Sequence, residues 1–206
     1  MTNALKNISE EGIFGRLQTG CWLYGGAGDR PEVSAALRRC ADACFEINSL
    51  RLSDTEKRNG LLRGLLGSVG ERFVINDGFR CDFGFNIHIG ENFIGNFNLS
   101  ILDEAKVTIG DNVMIGPNCS LITITHAFDV EQRNKGVMKA SPIKIGDNVW
   151  IAANVVVLPG VEIGDGAIIG AGSVVSKSIP AATLAVGNPC RPIREISPSD
   201  RVDVMC

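Results

Sequence analysis

Aliphatic residues recur at every sixth position through much of the second half of the chain, and a small residue follows most of them. A period of six is typical of a coil of short parallel strands, because each face of a triangular turn sends one aliphatic side chain to the axis. The pattern therefore predicts a parallel β-helix built from hexapeptide repeats. The axial positions are Ile109, Ile115, Leu121, Ile145, Ile151, Val157, Ile163, Ile169 and Val175.

The repeat keeps its phase across an interruption. Leu121 and Ile145 are 24 residues apart, which is four whole hexapeptides, although residues 126–142 show no repeat. This spacing predicts a loop excursion over 126–142 that leaves the coil and returns in register. Loops on a rigid scaffold commonly carry functional groups, and this one opens on His126, so it is the first place to look for a site.

The first seventy residues follow a helical rhythm instead. Apolar residues at helical spacing, with a proline in the first turn, predict an amphipathic helix over 31–48. Ser53 and Glu56 form a capping-box pattern ahead of a leucine-rich stretch, which predicts a second helix over 53–67. We expect residues 1–70 to form a small helical cap over one open end of the coil, since an uncapped β-helix presents bare strand edges.

The rest of the chain divides into the coil and a tail. Residues 71–195 are predicted to form the β-helix domain, and residues 196–206 a polar tail. The coil is irregular over 71–105, where Ile89 and Ile94 are both followed by glycine but are only five residues apart. The first coils are therefore expected to contain bulges or tight corners.

Composition narrows the classes of function. The chain has 206 residues, of which 45% are hydrophobic, and a formal net charge of -3. It lacks the basic field that binding to nucleic acid or to an anionic membrane requires. Residues 1–50 hold no apolar run of signal-peptide or transmembrane length. We therefore expect a cytoplasmic protein that binds neither nucleic acid nor membrane.

The seven cysteines are odd in number and lack CxxC spacing. Without a secretory signal they are interpreted as free thiols rather than as a disulfide framework or a zinc site. Cys40 and Cys44 are four residues apart and share one face of the predicted helix. Small buried hydrophobic side chains explain this pair better than a metal site does.

His126 is the leading candidate for acid–base chemistry, because an imidazole can take a proton from a hydroxyl or amine nucleophile near pH 7. Anchoring the loop is its alternative role. His88 lies in a predicted strand and is expected to point away from the axis in a structural role. The chain has two histidines and no ligand spacing between them, so no metal is expected.

Other side chains are candidates for ligand binding. Trp150 follows the excursion closely, where its ring either forms the wall of a groove or packs. Lys177, Arg191 and Arg194 lie near the end of the coil in an acidic protein, where they are suited to phosphates or form a solvated cluster. The polar groups available in the early coils to orient a hydroxylated ligand are Asp82, Asn96, Asp103 and Glu104.

A set of motifs along the coil resembles one family. They are Phe79-Arg80-Cys81-Asp82-Phe83-Gly84, Asn86-Ile87-His88-Ile89-Gly90, Asn96-Phe97-Asn98, Ile109-Gly110-Asp111-Asn112, the His126 segment, Ile145-Gly146-Asp147-Asn148-Val149-Trp150-Ile151, Pro159-Gly160-Val161 and Gly187-Asn188-Pro189-Cys190-Arg191. Over about residues 60–197 the chain is similar to the maltose and galactoside O-acetyltransferases.

The resemblance implies a left-handed parallel β-helix, an exception to the usual right-handed crossover, and a homotrimer with active sites between neighbouring subunits. It implies acetyl-CoA as the acetyl donor, bound in a groove along the coil. His126 would be the general base that takes the proton of a sugar hydroxyl as its oxygen attacks the thioester in a ternary complex.

The resemblance also assigns binding residues. The residues that would hold the sugar are Asp82, Asn96, Glu104 and Met138, the last at a loop position that closes over the site. The residues that would line the CoA groove are Trp150, Ala153, Ala171, Ser176, Lys177, Arg191 and Arg194.

One segment departs from the family. Galactoside enzymes carry a sugar-contacting aspartate in the first helix, whereas residues 22–29 here read Trp-Leu-Tyr-Gly-Gly-Ala-Gly-Asp, so an equivalent acid is absent or displaced. The sequence therefore leaves the identity of the acetyl acceptor open. A sugar hydroxyl is favoured, an antibiotic hydroxyl or an amino-sugar nitrogen is the alternative, and a non-catalytic assembly module is the third hypothesis.

Overall fold

The computed structural model describes residues 12–24 and 30–204. The helices are α1 (Ile13–Leu17), α2 (Pro31–Ser49), α3 (Thr55–Leu65) and α4 (Val130–Asn134), with a 3-10 turn at Pro198–Asp200. The strands are β1 (Leu23–Tyr24), β2 (Ser68–Val69), β3 (Phe73–Ile75), β4 (Arg80–Cys81), β5 (Ile87–Ile89), β6 (Phe93–Gly95), β7 (Ser100–Leu102), β8 (Val107–Ile109), β9 (Met114–Ile115), β10 (Ser120–Ile122), β11 (Ile124–His126), β12 (Val137–Ala140), β13 (Ile143–Ile145), β14 (Trp150–Ile151), β15 (Val156–Val157), β16 (Glu162–Ile163), β17 (Ile168–Ile169), β18 (Val174–Val175), β19 (Thr183–Val186) and β20 (Arg191–Glu195).

The described residues form a parallel β-helix with three flat faces, as the six-residue period predicts. Face 1 contains β2, β5, β8, β13 and β16; face 2 contains β3, β6, β9, β14, β17 and β19; face 3 contains β4, β7, β10, β15 and β18. The chain visits the faces in that order. At the C-terminal end β20 folds back antiparallel on β19. The predicted fold class, an all-β coil with a small helical element, is confirmed.

The axial side chains form the core of the coil. All nine predicted axial residues are at most 2% exposed. Burying an aliphatic side chain contributes roughly 1.5 to 3 kcal/mol through the hydrophobic effect. Because every turn adds three such residues to one continuous column, neighbouring turns stabilise each other.

The early coils are longer than the late ones. Phe73 pairs with Phe93, twenty residues later, whereas in the late coils Ile145 pairs with Ile163, eighteen residues later. The five-residue spacing does not mark a bulge or a tight corner, so that prediction is wrong. Gly95 occupies the axial position, and the side chain of Ile94 points outward with 41% of it exposed.

The extra residues lie at one corner of the triangle. The corner between face 3 and face 1 spans residues 82–86, 103–106 and 123–142 in successive coils, and we call it the enlarged corner. The predicted excursion is the largest of these insertions. Its neck is closed by the backbone N–H of Ser141, which donates to the carbonyl oxygen of Thr123 at 2.8 Å. The coil then resumes in register, with Ile145 beside Ile109.

The other corners turn on asparagine. Asn98, Asn118 and Asn154 adopt left-handed backbone conformations with φ of 59–60°, which asparagine tolerates better than most residues. The side-chain amide of Asn98 donates to Asn118 at 2.9 Å, and that of Asn118 donates to Asn154 at 3.2 Å. The turns of neighbouring coils are therefore bonded to each other directly.

Helices α2 and α3 cover the N-terminal end of the coil, whose first strand, β2, lies before residue 71. The predicted helix over 31–48 is confirmed by α2. The second helix begins at Thr55, and its N-cap, Asp54, makes no side-chain cap hydrogen bond, so the capping box at Ser53 and Glu56 is wrong. The hydroxyl of Thr55 donates instead to the carbonyl oxygen of Leu52 at 3.1 Å, which holds the chain in a turn ahead of the helix.

The cap also satisfies backbone groups at the open end of the first coil. The amide of Asn48 donates to the carbonyl oxygen of Phe79 at 2.9 Å and accepts the N–H of Gly78 at 3.0 Å. The buried guanidinium of Arg58 donates to the carbonyl oxygen of Ile75 at 3.1 Å. These groups have no coil beneath them to bond, and leaving each unpaired and buried would cost about 1 to 3 kcal/mol.

A second, smaller sheet lies outside the coil. Strands β1, β12 and β11 form an antiparallel sheet, in that order. Its core joins the N-terminal segment to the excursion, because Ile13, Leu17 and Val33 are buried in one cluster with Met138 and Ala140. Among the residues that the structure describes, no helix is both long and apolar enough to cross a membrane.

Asn48→Leu should lower the free energy of unfolding by about 2 to 4 kcal/mol, because it leaves the Phe79 carbonyl and the Gly78 N–H unpaired. Urea unfolding followed by circular dichroism measures the change. Asn134→Leu, at an exposed position, is the control and should change stability by less than about 1 kcal/mol. Equal effects of the two substitutions would show that Asn48 does not cap the coil.

Candidate functional site

A buried carboxylate holds the enlarged corner in shape. Asp103 is fully buried and accepts backbone N–H groups from Phe83 at 2.8 Å, from Asp82 at 3.1 Å and from Asn86 at 3.3 Å. Burial raises the pKa of Asp103 to about 6, although these N–H groups act in the opposite direction. The segment over 82–86 is therefore fixed by one side chain of the next coil.

Asp82 and Glu104 form a coupled pair of half-buried carboxyls at this corner. Burial raises the pKa of Glu104 to about 9, and the Asp82 carboxyl beside it adds to the rise. Burial also raises the pKa of Asp82, while its hydrogen bond with Glu104 lowers it. Two such carboxyls share a proton at neutral pH, so one accepts hydrogen bonds and the other donates one. Within the described chain, Oε2 of Glu104 is buried and has no hydrogen-bond partner.

His126 lies at the end of β11, where the excursion leaves the same corner, and it is exposed. The hydroxyl of Thr123 links the root of the excursion to the Glu104 segment, because it donates to the carbonyl oxygen of Leu102 at 2.7 Å and accepts the N–H of Ala105 at 3.0 Å. The enlarged corner therefore carries the histidine and the carboxyl pair together.

The structure shows where two residues near His126, Met138 and Asp129, lie. Met138 is directly opposite His126 across the β11–β12 pair, and its side chain is 8% exposed. It lies in a strand rather than in the loop position that the sequence suggested. Asp129 accepts the N–H of Gln132 at 2.9 Å and so forms the N-cap of α4.

Asn96 does not join this group within one chain. It lies at the corner between face 2 and face 3, which we call the second corner, and accepts the N–H of Phe97 at 2.8 Å. Strand β7 separates it from Glu104, a distance of roughly 15 to 20 Å at the rise of a β-strand. The predicted substrate residues are therefore divided between two corners.

The residues predicted to line the CoA groove are also distributed. Trp150 points outward from face 2, with 47% of its side chain exposed. Ala153 and Ala171 are stacked at the second corner, where the N–H of the residue after Ala171 donates to the carbonyl oxygen of Ala153 at 2.9 Å. Ser176 and Lys177 are exposed in the last coil, at the corner between face 3 and face 1.

The two arginines lie on β20 at the C-terminal end of the coil. The guanidinium of Arg194 is bidentate with the carboxylate of Asp200, at 2.6 and 2.8 Å. That pairing lowers the pKa of Asp200 to about 2. Arg194 is therefore already paired within the chain, so Lys177 and Arg191 are the better candidates for phosphate.

Sequence reasoning missed the contribution of Gln18, which follows α1. Its amide donates to the carbonyl oxygen of Glu104 at 3.2 Å and to Oδ1 of Asn86 at 3.3 Å, and it accepts the N–H of Lys106 at 3.0 Å. Gln18 is 86 residues from Glu104 in the chain, so no local pattern could have found it. Of the divergent segment 22–29, residues 25–29 lie outside the described residues.

The role expected of His88 agrees with its position. It is half-buried in β5 on face 1, and its Nδ1 lies 3.0 Å from the hydroxyl of Ser68 in the coil below. Burial lowers its pKa. His88 thus belongs to the coil wall.

The matches to known families place this coil among the hexapeptide-repeat acyltransferases. Three family models match the chain: "Bacterial transferase hexapeptide (six repeats)" over 142–177, "Hexapeptide repeat of succinyl-transferase" over 106–125 and "Maltose acetyltransferase hexapeptide capping motif" over 26–70. The capping motif includes both α2 and α3.

Known proteins narrow the class further. The chain is 48% identical to the galactoside O-acetyltransferase of Escherichia coli (strain K12) over 157 residues, which cover 76% of this chain and 77% of the relative. The structure of a maltose O-acetyltransferase from Clostridium difficile 630 superposes with a TM-score of 0.87 at 43% identity, covering 92% of this chain and all of that one. The structure of a galactoside acetyltransferase in complex with coenzyme A superposes with a TM-score of 0.83 at 42% identity, covering 92% of this chain and 93% of that one. The chain belongs to the maltose and galactoside O-acetyltransferases and is an enzyme of that family.

Glu104→Gln should flatten the pH dependence of stability. The carboxyl ionises near 4.5 when unfolded and near 9 when folded. Between these values unfolding releases a proton, so stability falls as pH rises, by up to about 1.4 kcal/mol per pH unit. Glutamine has no proton to release. Urea unfolding from about pH 5 to about pH 8 measures the slope, and the exposed Glu195→Gln is the control. An unchanged slope in Glu104→Gln would contradict the raised pKa.

Proposed function

We propose that this enzyme transfers the acetyl group of acetyl-CoA to a hydroxyl of a sugar or glycan. The observation that carries the proposal is the enlarged corner, which includes both His126 and the coupled carboxyls of Asp82 and Glu104. Relatives that act on galactosides and maltose, and one that is complexed with coenzyme A, support the choice of substrates.

In this proposal His126 is the general base. It takes the proton of the acceptor hydroxyl as the hydroxyl oxygen attacks the thioester carbonyl, and the proton then passes to the departing thiolate. Both substrates meet in a ternary complex, so positioning supplies much of the rate and no acetyl-enzyme is needed. The exposure of His126 leaves its ring open to both substrates.

The carboxyl pair fits the recognition of a polyol. A protonated Glu104 donates a hydrogen bond and an ionised Asp82 accepts one, which matches the hydroxyls of a sugar, since each hydroxyl does both. The buried Oε2 of Glu104 has no partner in the described chain. A bound hydroxyl would satisfy it. Asn96 and Met138 remain proposed contacts to the same acceptor.

The donor is proposed to run along the coil from Trp150 toward the C-terminal end. Backbone groups at Ala153 and Ala171 would bond its pantetheine arm, with Ser176 nearby. Lys177 and Arg191 would meet its phosphates, and Arg194 would do so only by leaving Asp200.

A homotrimer with active sites between subunits would complete the site. Within one chain Asn96 lies at the second corner and His126 at the enlarged corner. A neighbouring copy that brings its second corner against the enlarged corner would unite them. Face 2 also presents an outward row of apolar side chains, each at least 41% exposed, that a second copy would cover. The row is Val74, Ile94, Met114 and Trp150.

His126→Ala should lower the turnover of acetyl transfer by about 10²- to 10⁴-fold, because it removes the general base. Thiol release from acetyl-CoA is measured across galactosides, maltosides, amino sugars and hydroxylated antibiotics, and calorimetry checks that acetyl-CoA still binds. His88→Ala is the matched control, since His88 belongs to the coil wall, and it should retain most of the turnover.

Near-native turnover of His126→Ala, with normal acetyl-CoA binding, would overturn the general-base assignment. Thiol release that requires an antibiotic or an amino sugar, rather than a simple glycoside, would support acetyl transfer but would show that the acceptor is not a simple sugar.

Mixing two inactive variants tests the proposed arrangement of subunits. His126→Ala and Asn96→Ala should each be poorly active alone. After unfolding and refolding together in equal amounts, about one quarter of the sites would combine an intact His126 with an intact Asn96 from the neighbouring subunit. Activity should recover to about that fraction of the native value. No recovery, with trimers formed, would mean that each site is built from one chain.

A further inference from the structure

Three cysteines meet at the junction of the cap and the coil. Cys40 and Cys44 are one turn apart on the buried face of α2, and Cys81 lies in β4 of the first coil. The Sγ atom of Cys81 is 3.4 Å from that of Cys40 and 3.9 Å from that of Cys44. All three sulfurs lie within 4.8 Å of one another, and all three cysteines are free thiols. The packing of α2 on the coil thus assembles a compact group of three soft ligands.

We propose that Cys40, Cys44 and Cys81 form a three-thiolate binding site for a soft d10 cation, copper(I). The observed spacing suits such an ion. Three sulfurs bound to one metal at about 2.3 Å lie roughly 3.8 to 4.0 Å apart. The Sγ atoms of Cys44 and Cys81, at 3.9 Å, already lie in that range, and those of Cys40 and Cys81, at 3.4 Å, would have to separate by roughly half an ångström. Binding would release the three thiol protons to solvent and form three metal–sulfur bonds.

The number of ligands favours copper(I) over zinc. Thiolates select copper(I) and zinc among the first-row metals, but a structural zinc ion takes four ligands. In the part of the chain that the structure describes, no histidine or carboxylate joins the three sulfurs as a fourth ligand. The nearby carboxylate of Asp103 is already committed to three backbone N–H groups. The site is therefore suited to an ion that binds stably with three ligands.

The surroundings suit a reduced ion. Cys40 and Cys44 are at most 2% exposed, and both belong to the main apolar core, together with Ile47, Leu62 and Phe79. This packing excludes water and oxidants. Cys81 as a whole residue is partly buried. The charge of Arg80 acts on Cys44 and partly offsets the negative charge of a three-thiolate complex.

A bound ion would fasten the cap to the coil. Two of its ligands belong to α2 and the third to the first coil, so the metal would cross-link elements that otherwise meet through packing and hydrogen bonds. An ion that binds only the folded state raises stability by mass action. The cysteines lie at the junction of the cap and the coil rather than on the excursion that carries His126. Cys81 directly precedes Asp82 of the carboxyl pair.

Titration of the reduced protein with copper(I) under anaerobic conditions, in competition with a coloured copper(I) chelator, tests the proposal. We expect one tightly bound ion per chain, three sulfur neighbours at about 2.3 Å by X-ray absorption, and a higher unfolding temperature. Cys81→Ser should weaken binding by at least about a hundredfold. Cys21→Ser and Cys119→Ala change an exposed and a buried cysteine elsewhere and should leave binding unchanged.

Circular dichroism of each variant without metal keeps the comparison valid, and Cys44→Ala replaces Cys81→Ser if the latter does not fold. Unchanged binding in a folded Cys81→Ser or Cys44→Ala would overturn the proposal. So would an absorption spectrum with fewer than three sulfurs, a preference for zinc(II) over copper(I), or no stoichiometric binding of copper(I).

Discussion

The structure depends on one constraint: every turn of a parallel coil must return in register with the turn below it. Backbone hydrogen bonds and the axial column both require this register, so residues cannot be inserted within a face. Additional residues are accommodated only at corners. In this chain they collect at a single corner, from the short insertions over 82–86 and 103–106 to the excursion that carries His126. His126 and the Asp82–Glu104 pair belong to the same corner because this corner can vary in length without disturbing the core.

The same constraint makes the ends of the coil costly. The first turn has no turn beneath it, and its backbone groups would be buried without partners. Asn48 and Arg58 of the cap supply those partners, while β20 folds back on β19 at the other end. The cap is therefore part of the hydrogen-bonding system of the coil as well as a hydrophobic lid. The three clustered cysteines lie at this junction.

The electrostatics of the site follow from burial at the enlarged corner. Asp103 is held by three N–H groups and shapes the backbone, whereas Asp82 and Glu104 lack that degree of support and are pushed toward sharing a proton. A carboxyl pair of this kind is unfavourable for stability and useful for binding hydroxyls. At the far end of the coil, Asp200 holds Arg194, which leaves the positive charge for a nucleotide phosphate to other residues.

The sequence by itself determined the coil, the axial residues, the return of the excursion in register and the helix α2, because all of these follow from local periodicity. It also singled out His126, Asp82 and Glu104 through their motifs. Tertiary structure alone decided that Gly95 occupies an axial position, that Met138 lies in a strand opposite His126, and that Gln18 bonds to the enlarged corner. These depend on contacts between residues far apart in the chain. The period of a sequence specifies which side chains face the axis, but the stacking of turns decides which distant residues meet.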